Sequence, residues 1–187
     1  MVIRLVRFNL KLLLSVSLLA AVVGCQSPEA RQARQPATLR IHLETNPNPP
    51  GHSERILVLR SAPVAINIEK SPFLNESHIT SARLLDTAEG FIVSVQLNQQ
   101  GQWLLEQYTA ANSNRRYAIR TQFRQNTNAF DRWIAAPLIS HRVTDGKLNF
   151  TPDADRTEAE AFVQGWNNVA GYKPKKEATQ PKFSDVP

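Results

Sequence analysis

Cysteine is nearly absent from this 187-residue chain: Cys25 is the only one. An intramolecular disulfide is therefore excluded, as is a cysteine-rich zinc site, and stability has to come from a packed core. Glycine is scarce too, with seven residues, and no Gly-x-Ser-x-Gly elbow, Walker loop, G-x-G-x-x-G turn or Ser-x-x-Lys motif occurs. The four histidines, His42, His52, His78 and His141, fall in no metal-ligand spacing. No metal, cofactor or small-molecule substrate is expected, and the chain reads as noncatalytic. After Val23 no apolar run approaches the ~20 residues a membrane-spanning helix needs.

What is present begins with a processing signal. Arg4, Arg7 and Lys11 precede the apolar stretch Leu12–Val23, and Val22-Val23-Gly24-Cys25 closes it with small residues and a cysteine. That pattern resembles a lipobox, with cleavage between Gly24 and Cys25 and lipidation of Cys25. Residues 1–24 read as a lipoprotein signal peptide and the mature protein as anchored by acyl chains. Because each buried CH₂ adds about 0.8 kcal/mol, two or three chains hold durably where one does not. The expected location is the cell envelope, facing the periplasm, with Gln26 in place of Asp favouring an outer membrane.

The signal carries much of the apparent basicity. The whole chain has 22 Lys and Arg, a formal net charge of +6 and a pI near 9.8. Without Arg4, Arg7 and Lys11 it has 19 basic against 16 acidic residues, a net of +3. A nucleic-acid partner is not expected, since no RRM, KH or helix-turn-helix pattern accompanies that charge.

Residues 25–37 are polar and contain Pro28 and Pro36, which predicts a flexible tether. Residues 172–187, rich in Lys, Pro, Thr and Ser, predict a disordered tail, leaving 38–171 as one folded domain. Leu39, Ile41 and Leu43 alternate against polar neighbours as a strand does. Strands also follow at Ile56–Leu59, Val64–Ile68, Ile79–Asp86 and Phe91–Leu97, and the prolines from Pro47 to Pro50 break the chain between the first two. A helix is predicted from Gln99 to Ala111 with Asn98 as its N-cap. Tyr117, Ile119 and Phe123 define another strand, Trp133–Ile139 an apolar extended segment around Pro137, and Asp145-Gly146 a hairpin turn.

Ala159, Phe162, Val163, Trp166 and Val169 trace one face of a final helix, started by Asp155 and Glu158 at capping-box spacing. That assignment absorbs the cluster Asp153, Asp155, Glu158 and Glu160 as helix-start chemistry instead of a cation site. About seven strands and two helices predict an α+β domain, an antiparallel or mixed sheet carrying both amphipathic helices on one face. Arg116, Arg120 and Arg124 share the outer side of their strand and are the candidate partner-binding residues. The same stripe supports an alternative, a structural envelope protein contacting anionic lipid or wall polymer.

The order of elements from Ile66 to Ala170 resembles the first periplasmic head domain of SecD, a subunit of the SecDF translocation complex. Ile66-Asn67-Ile68-Glu69-Lys70 followed by Ile79-Thr80-Ser81-Ala82 is similar to the family's strand and entry segment. Val93-Ser94-Val95-Gln96-Leu97 with Gly101 and Thr109 is similar to its strand-to-helix pattern. Tyr117-Ala118-Ile119, Trp133-Ile134-Ala135-Ala136-Pro137-Leu138-Ile139 and Thr157-Glu158-Ala159 resemble its L-A-I, V-I-S-A-P-V-I and T-x-E-E-A segments. The family's D-G-K turn is Asn128 to Arg132 here, and an insertion surrounds Pro152. The resemblance implies the head fold and contact with unfolded polypeptide or an envelope protein, in export or folding. It does not imply proton coupling, which resides in a membrane bundle that no later apolar run supplies.

Overall fold

The computed structural model describes residues 34–47, 51–60, 62–125 and 127–172. The signal stretch, Cys25 and most of the tail lie outside them. The strands are β1 (Thr38–Leu43), β2 (Ser53–Val58), β3 (Val64–Glu69), β4 (Leu74–Asn75), β5 (Ile79–Thr87), β6 (Gly90–Leu97), β7 (Tyr117–Gln125), β8 (Asn128–Ala135) and β9 (Lys147–Phe150). The helices are α1 (Gln99–Ala111) and α2 (Arg156–Ala170). The class is α+β, as the pattern implied, and every strand pairing is antiparallel.

The single sheet expected from sequence is divided among the described residues into three: β4-β1-β7-β8, β2-β3 and β5-β6-β9. β1 meets β3 through one bridge, Glu44 to Ile68, with a bond from Thr45 N to Asn67 O, instead of a ladder. The expected Asp145-Gly146 hairpin is also different, because Leu97 N donates to Gly146 O at 2.9 Å and the turn feeds β9 onto β6, not onto the segment before it.

Both helix starts follow their sequence signals. The Asn98 side chain accepts from Gly101 N at 2.9 Å. Asp155 accepts from Glu158 N at 2.8 Å while the Glu158 carboxylate accepts from Asp155 N at 3.3 Å, a complete capping box. α2 ends at Gly171, whose φ of 68° is the left-handed conformation a side chain would oppose.

α2 lies across β5, β7 and β1, and α1 touches β4 and β6. The main core gathers Leu39, Ile41, Val93, Val95, Ile119, Phe123, Phe162 and Trp166, with both aromatic residues of α2 fully buried. Val169, expected on that face, is 43% exposed, while its neighbours Asn167 and Ala170 are packed onto the domain. On the opposite side of β7 and β8 the β2-β3 hairpin packs Ile56, Val58, Ile66 and Ile68 against Ala118 and Ala136. Both faces of the four-stranded sheet are thus covered at its Tyr117 end, and one face is open at its Gln125 end.

The tether ends earlier than its composition implied. Ala37 is buried, Asn168 Nδ2 donates to Gln35 O at 2.9 Å, and Trp166 Nε1 donates to Thr38 O at 2.8 Å. Gln35, Pro36 and Ala37 therefore belong to the fold. Polar composition does not prevent docking when a glycine opens a seat for it, as Gly165 does beneath Ala37.

Candidate functional site

The arginine stripe lies along β7. Alternation along β7 puts Arg116, Ala118, Arg120, Gln122 and Arg124 on one side. Arg120 is spoken for: its Nε and Nη2 donate to the two Asp131 oxygens at 2.7 and 2.8 Å, and Gln122 Nε2 adds a third bond at 2.8 Å. The hydrogen bond from Arg120 is the main reason the Asp131 carboxyl sits below its ordinary range, and the same pair holds the guanidinium above its own. Arg120 also lies over the Trp133 ring, 5.6 Å from its centroid. Arg116 Nη1 donates to Ala136 O at 2.8 Å, a structural tie to the bulged end of β8. Arg124 is exposed and has no ion pair among the described residues. The stripe is real as geometry, but of its three arginines Arg120 is ion-paired and Arg116 is tied to a main-chain carbonyl, which leaves Arg124 as the exposed one.

Beside it, Trp133 meets His42 edge-on at 5.2 Å, and His42 Nδ1 is 2.8 Å from Glu69 O, which joins β1 to the hairpin. Burial lowers the His42 pKa from its ordinary value, so the ring is neutral and Nδ1 donates. Arg132, adjacent in sequence to the stripe's partners, faces away from it: Nη1 binds Glu158 at 2.9 Å. Glu158, nearly buried, also takes Arg60 Nη2 at 3.2 Å. The acidic cluster thus serves helix capping and these ion pairs. Among the described residues no group of three or more His, Cys, Asp or Glu side chains is placed to hold a metal ion.

A second concavity lies beside β9. β9 is the last strand of its sheet, so one of its edges has no ladder partner. Across from that edge runs Pro137–His141, which continues past β8 alongside β7: Tyr117 N donates to Pro137 O at 3.2 Å and Ile139 N to Arg115 O at 2.8 Å. The chain that follows β9 meets β8 at one end, where Asp153 N donates to Ile134 O at 2.6 Å. At the other end the two edges part around a slot of about 230 Å³, lined by Tyr117, Leu138, His141, Lys147, Leu148 and Asn149 among others. Burial alone raises the Tyr117 hydroxyl pKa to about 12, so it stays protonated in the slot.

The main chain of the slot can be read from register. In an antiparallel ladder hydrogen-bonded pairs alternate. The bond from Leu97 N to Gly146 O makes Leu148 and Phe150 the residues bonded to β6, which turns the Asn149 N–H and C=O into the slot. On the other side Pro137 and Ile139 are engaged with β7, so Leu138 presents its N–H and C=O to the same gap. Leu138 is 49% exposed at the mouth. Thr109 holds the loop beyond it, accepting from Val143 N at 3.0 Å and donating to Leu105 O at 2.7 Å. Two strand edges thus turn backbone groups toward a slot lined by both apolar and polar side chains. A wider concavity, about 570 Å³ at the open end of the four-stranded sheet, is lined by Pro36, Gln122, Arg124, Ala129 and Asp131 among others.

Residues 54–164 match the model of the SecDF P1 head subdomain, well over half of the chain. The chain belongs to the SecDF P1 head subdomain family. A solved structure, described as a membrane component SecDF that enhances protein export, has the same fold: TM-score 0.52 and 17% identity over 78% of this chain and 70% of that one. A second, SecDF in a super-membrane-facing form, gives TM-score 0.49 at 17% identity, covering 78% of this chain and 20% of that one. No curated protein matches. In this P1 head domain Ala136-Pro137 follows the end of β8 and leads the chain into the wall of the slot. Among the described residues no helix is long and apolar enough to cross a membrane.

The slot escaped sequence reasoning because it lies between elements paired elsewhere. The only local signal was Pro137, which cannot donate to a ladder and so ends β8 with an edge still facing outward.

Proposed function

We propose that this protein is a noncatalytic cell-envelope lipoprotein, held by lipid on Cys25, whose P1 head domain binds extended polypeptide during export or folding. The observation that carries the reading is the slot between β9 and Pro137–His141. An extended chain entering it gains main-chain hydrogen bonds from Leu138 and Asn149, and the mixed lining, with Leu138 and Leu148 beside Lys147 and His141, takes alternate side chains of either character. Such a site accepts many sequences, as an export client requires, because backbone groups are common to all of them. The alternative of anionic lipid or polymer on the basic face is weaker, because Arg120 is neutralised by Asp131 and Arg116 is tied to Ala136.

The test is binding of a fluorescent, permanently unfolded secretory protein to the purified mature chain. Asn149→Pro deletes one slot-facing N–H while leaving the β6 pairing, and Leu138→Asp charges the mouth. Each is expected to weaken binding about tenfold, equivalent to about 1.4 kcal/mol, with melting unchanged. Parental affinity in both variants would remove the slot from the mechanism. Replacing Cys25 with Ser is expected to release the protein from membranes without altering its melting.

A further inference from the structure

The stretch from Leu57 to Ala65 carries one charge in nine residues, and Leu57, Val58, Val64 and Ala65 form the end of the β2-β3 ribbon. Val58 points inward, but Leu57 is 67% exposed, Val64 40% and Leu59 36%, and Ala62, Pro63 and Ala65 are exposed as well. Leu57 and Ala65 face each other across the two strands, so the outward surface is continuous. Leu59 has φ of 68°, a conformation that glycine or asparagine adopts more easily, yet an apolar side chain stands there. The one charge does not face outward unanswered: Arg60 N donates to Asp153 Oδ2 at 2.6 Å and its guanidinium reaches Glu158 at 3.2 Å. This pins the turn to the domain and leaves its apolar side chains to the surroundings. Contiguous apolar surface on a soluble domain marks a partner or a membrane.

Where the turn sits selects between them. Arg60 is fastened to Glu158 and Gln35 to Asn168, ten residues apart on the same helix, or about 15 Å along α2. The stretch from Cys25 to Gln35 spans at most about 35 Å. A bilayer that holds lipid on Cys25 therefore lies within reach of the turn. Arg55, exposed two residues before Leu57 on the same side of β2, adds a cation suited to anionic headgroups.

We propose that the β2-β3 turn is a second membrane contact, with Leu57, Leu59 and Val64 entering the interfacial layer of the bilayer that carries the lipid of Cys25. It rests on the lipid-anchor part of the reading above and is independent of the slot. Lys147, where the slot opens, starts β9 and Asp153 follows the strand's other end, so a strand length of about 10 Å lies between the slot mouth and the turn's attachment, and the turn can lie on the membrane with the slot open to clients.

The acylated protein with Leu57→Cys, labelled with an environment-sensitive dye, is placed in vesicles of phosphatidylethanolamine and phosphatidylglycerol containing lipids with a shallow acyl-chain quencher. Glu89→Cys, in the exposed β5-β6 turn, is labelled for comparison. The expected result is blue-shifted, quenched emission at position 57 and neither change at 89. Protein that floats with the vesicles while position 57 stays as unquenched as 89 overturns the membrane contact alone. Protein that fails to float overturns the lipid anchor and this contact with it. A blue shift at 57 that depends on protein concentration and not on vesicles overturns it in favour of a second copy of the chain.

Discussion

Asn167, in the last turn of α2, clasps the main chain of Ala82 in β5: its Oδ1 accepts from Ala82 N and its Nδ2 donates to Ala82 O, both at 2.8 Å. The amide imitates one rung of a ladder. It closes the outer edge of β5, a strand end that would otherwise invite pairing with another chain. β9, at the opposite margin of the same sheet, has no comparable cover along the slot, and the contrast is what assigns binding to β9.

Asn167→Ala should therefore do more than remove two bonds. It strands the buried N–H and C=O of Ala82, at about 1–3 kcal/mol for each group. A urea midpoint within error of the parent would show that the clasp is dispensable.

Ala37 and Gly165 make a second close pair. A methyl added at Gly165 would lie 2.5 Å from Ala37 Cβ and 2.7 Å from Ala37 N. In an open helix Gly→Ala stabilises by roughly 0.5–1 kcal/mol, whereas overpacking costs about 1–3 kcal/mol. Gly165→Ala should lower stability, and a rise would mean that the Gln35–Ala37 segment does not seat on α2. Trp166→Ala, which empties the core beside that seat and deletes the bond to Thr38 O, should cost about 3–5 kcal/mol in the same measurement.

His42 supplies a pH dependence with a definite sign. Its folded pKa lies below the ordinary 6.5, so between the two values the unfolded chain binds more protons and stability rises with pH. The contribution is complete above pH 6.5 and is lost as pH falls below it. The depressed carboxyls of Asp131 and Asp155 act in a separate window: their contribution is present above about pH 3.8 and lost in stronger acid. Denaturation midpoints should fall between pH 7.5 and 5.5 in the parent and fall less in His42→Gln. An equal fall in both would assign the dependence elsewhere.

Much of the scaffold was legible in the residues. Alternation placed β1, β6 and β7, and Asn98 and Asp155 marked both helix starts, because each depends on neighbours a few positions apart. The resemblance to the SecD head domain from Ile66 onward agrees with the matched span of 54–164. What sequence could not show depends on partners far along the chain. Gln35–Ala37 looks like tether until Gly165 is known to face it. The arginine stripe looks like free charge until the β7-β8 register sets Gln122 opposite Asp131 and brings that carboxylate to Arg120. The slot requires β9 to pair with β6, leaving a gap to Pro137–His141 that neither segment announces.

Amide hydrogen exchange with and without a saturating unfolded client tests the central claim most directly. The account predicts new protection at Leu138 and Asn149, the residues whose amides point into the slot, with Arg120 to Arg124 unchanged. Protection confined to the arginine face of β7, with Leu138 and Asn149 exchanging as in the free protein, would contradict it.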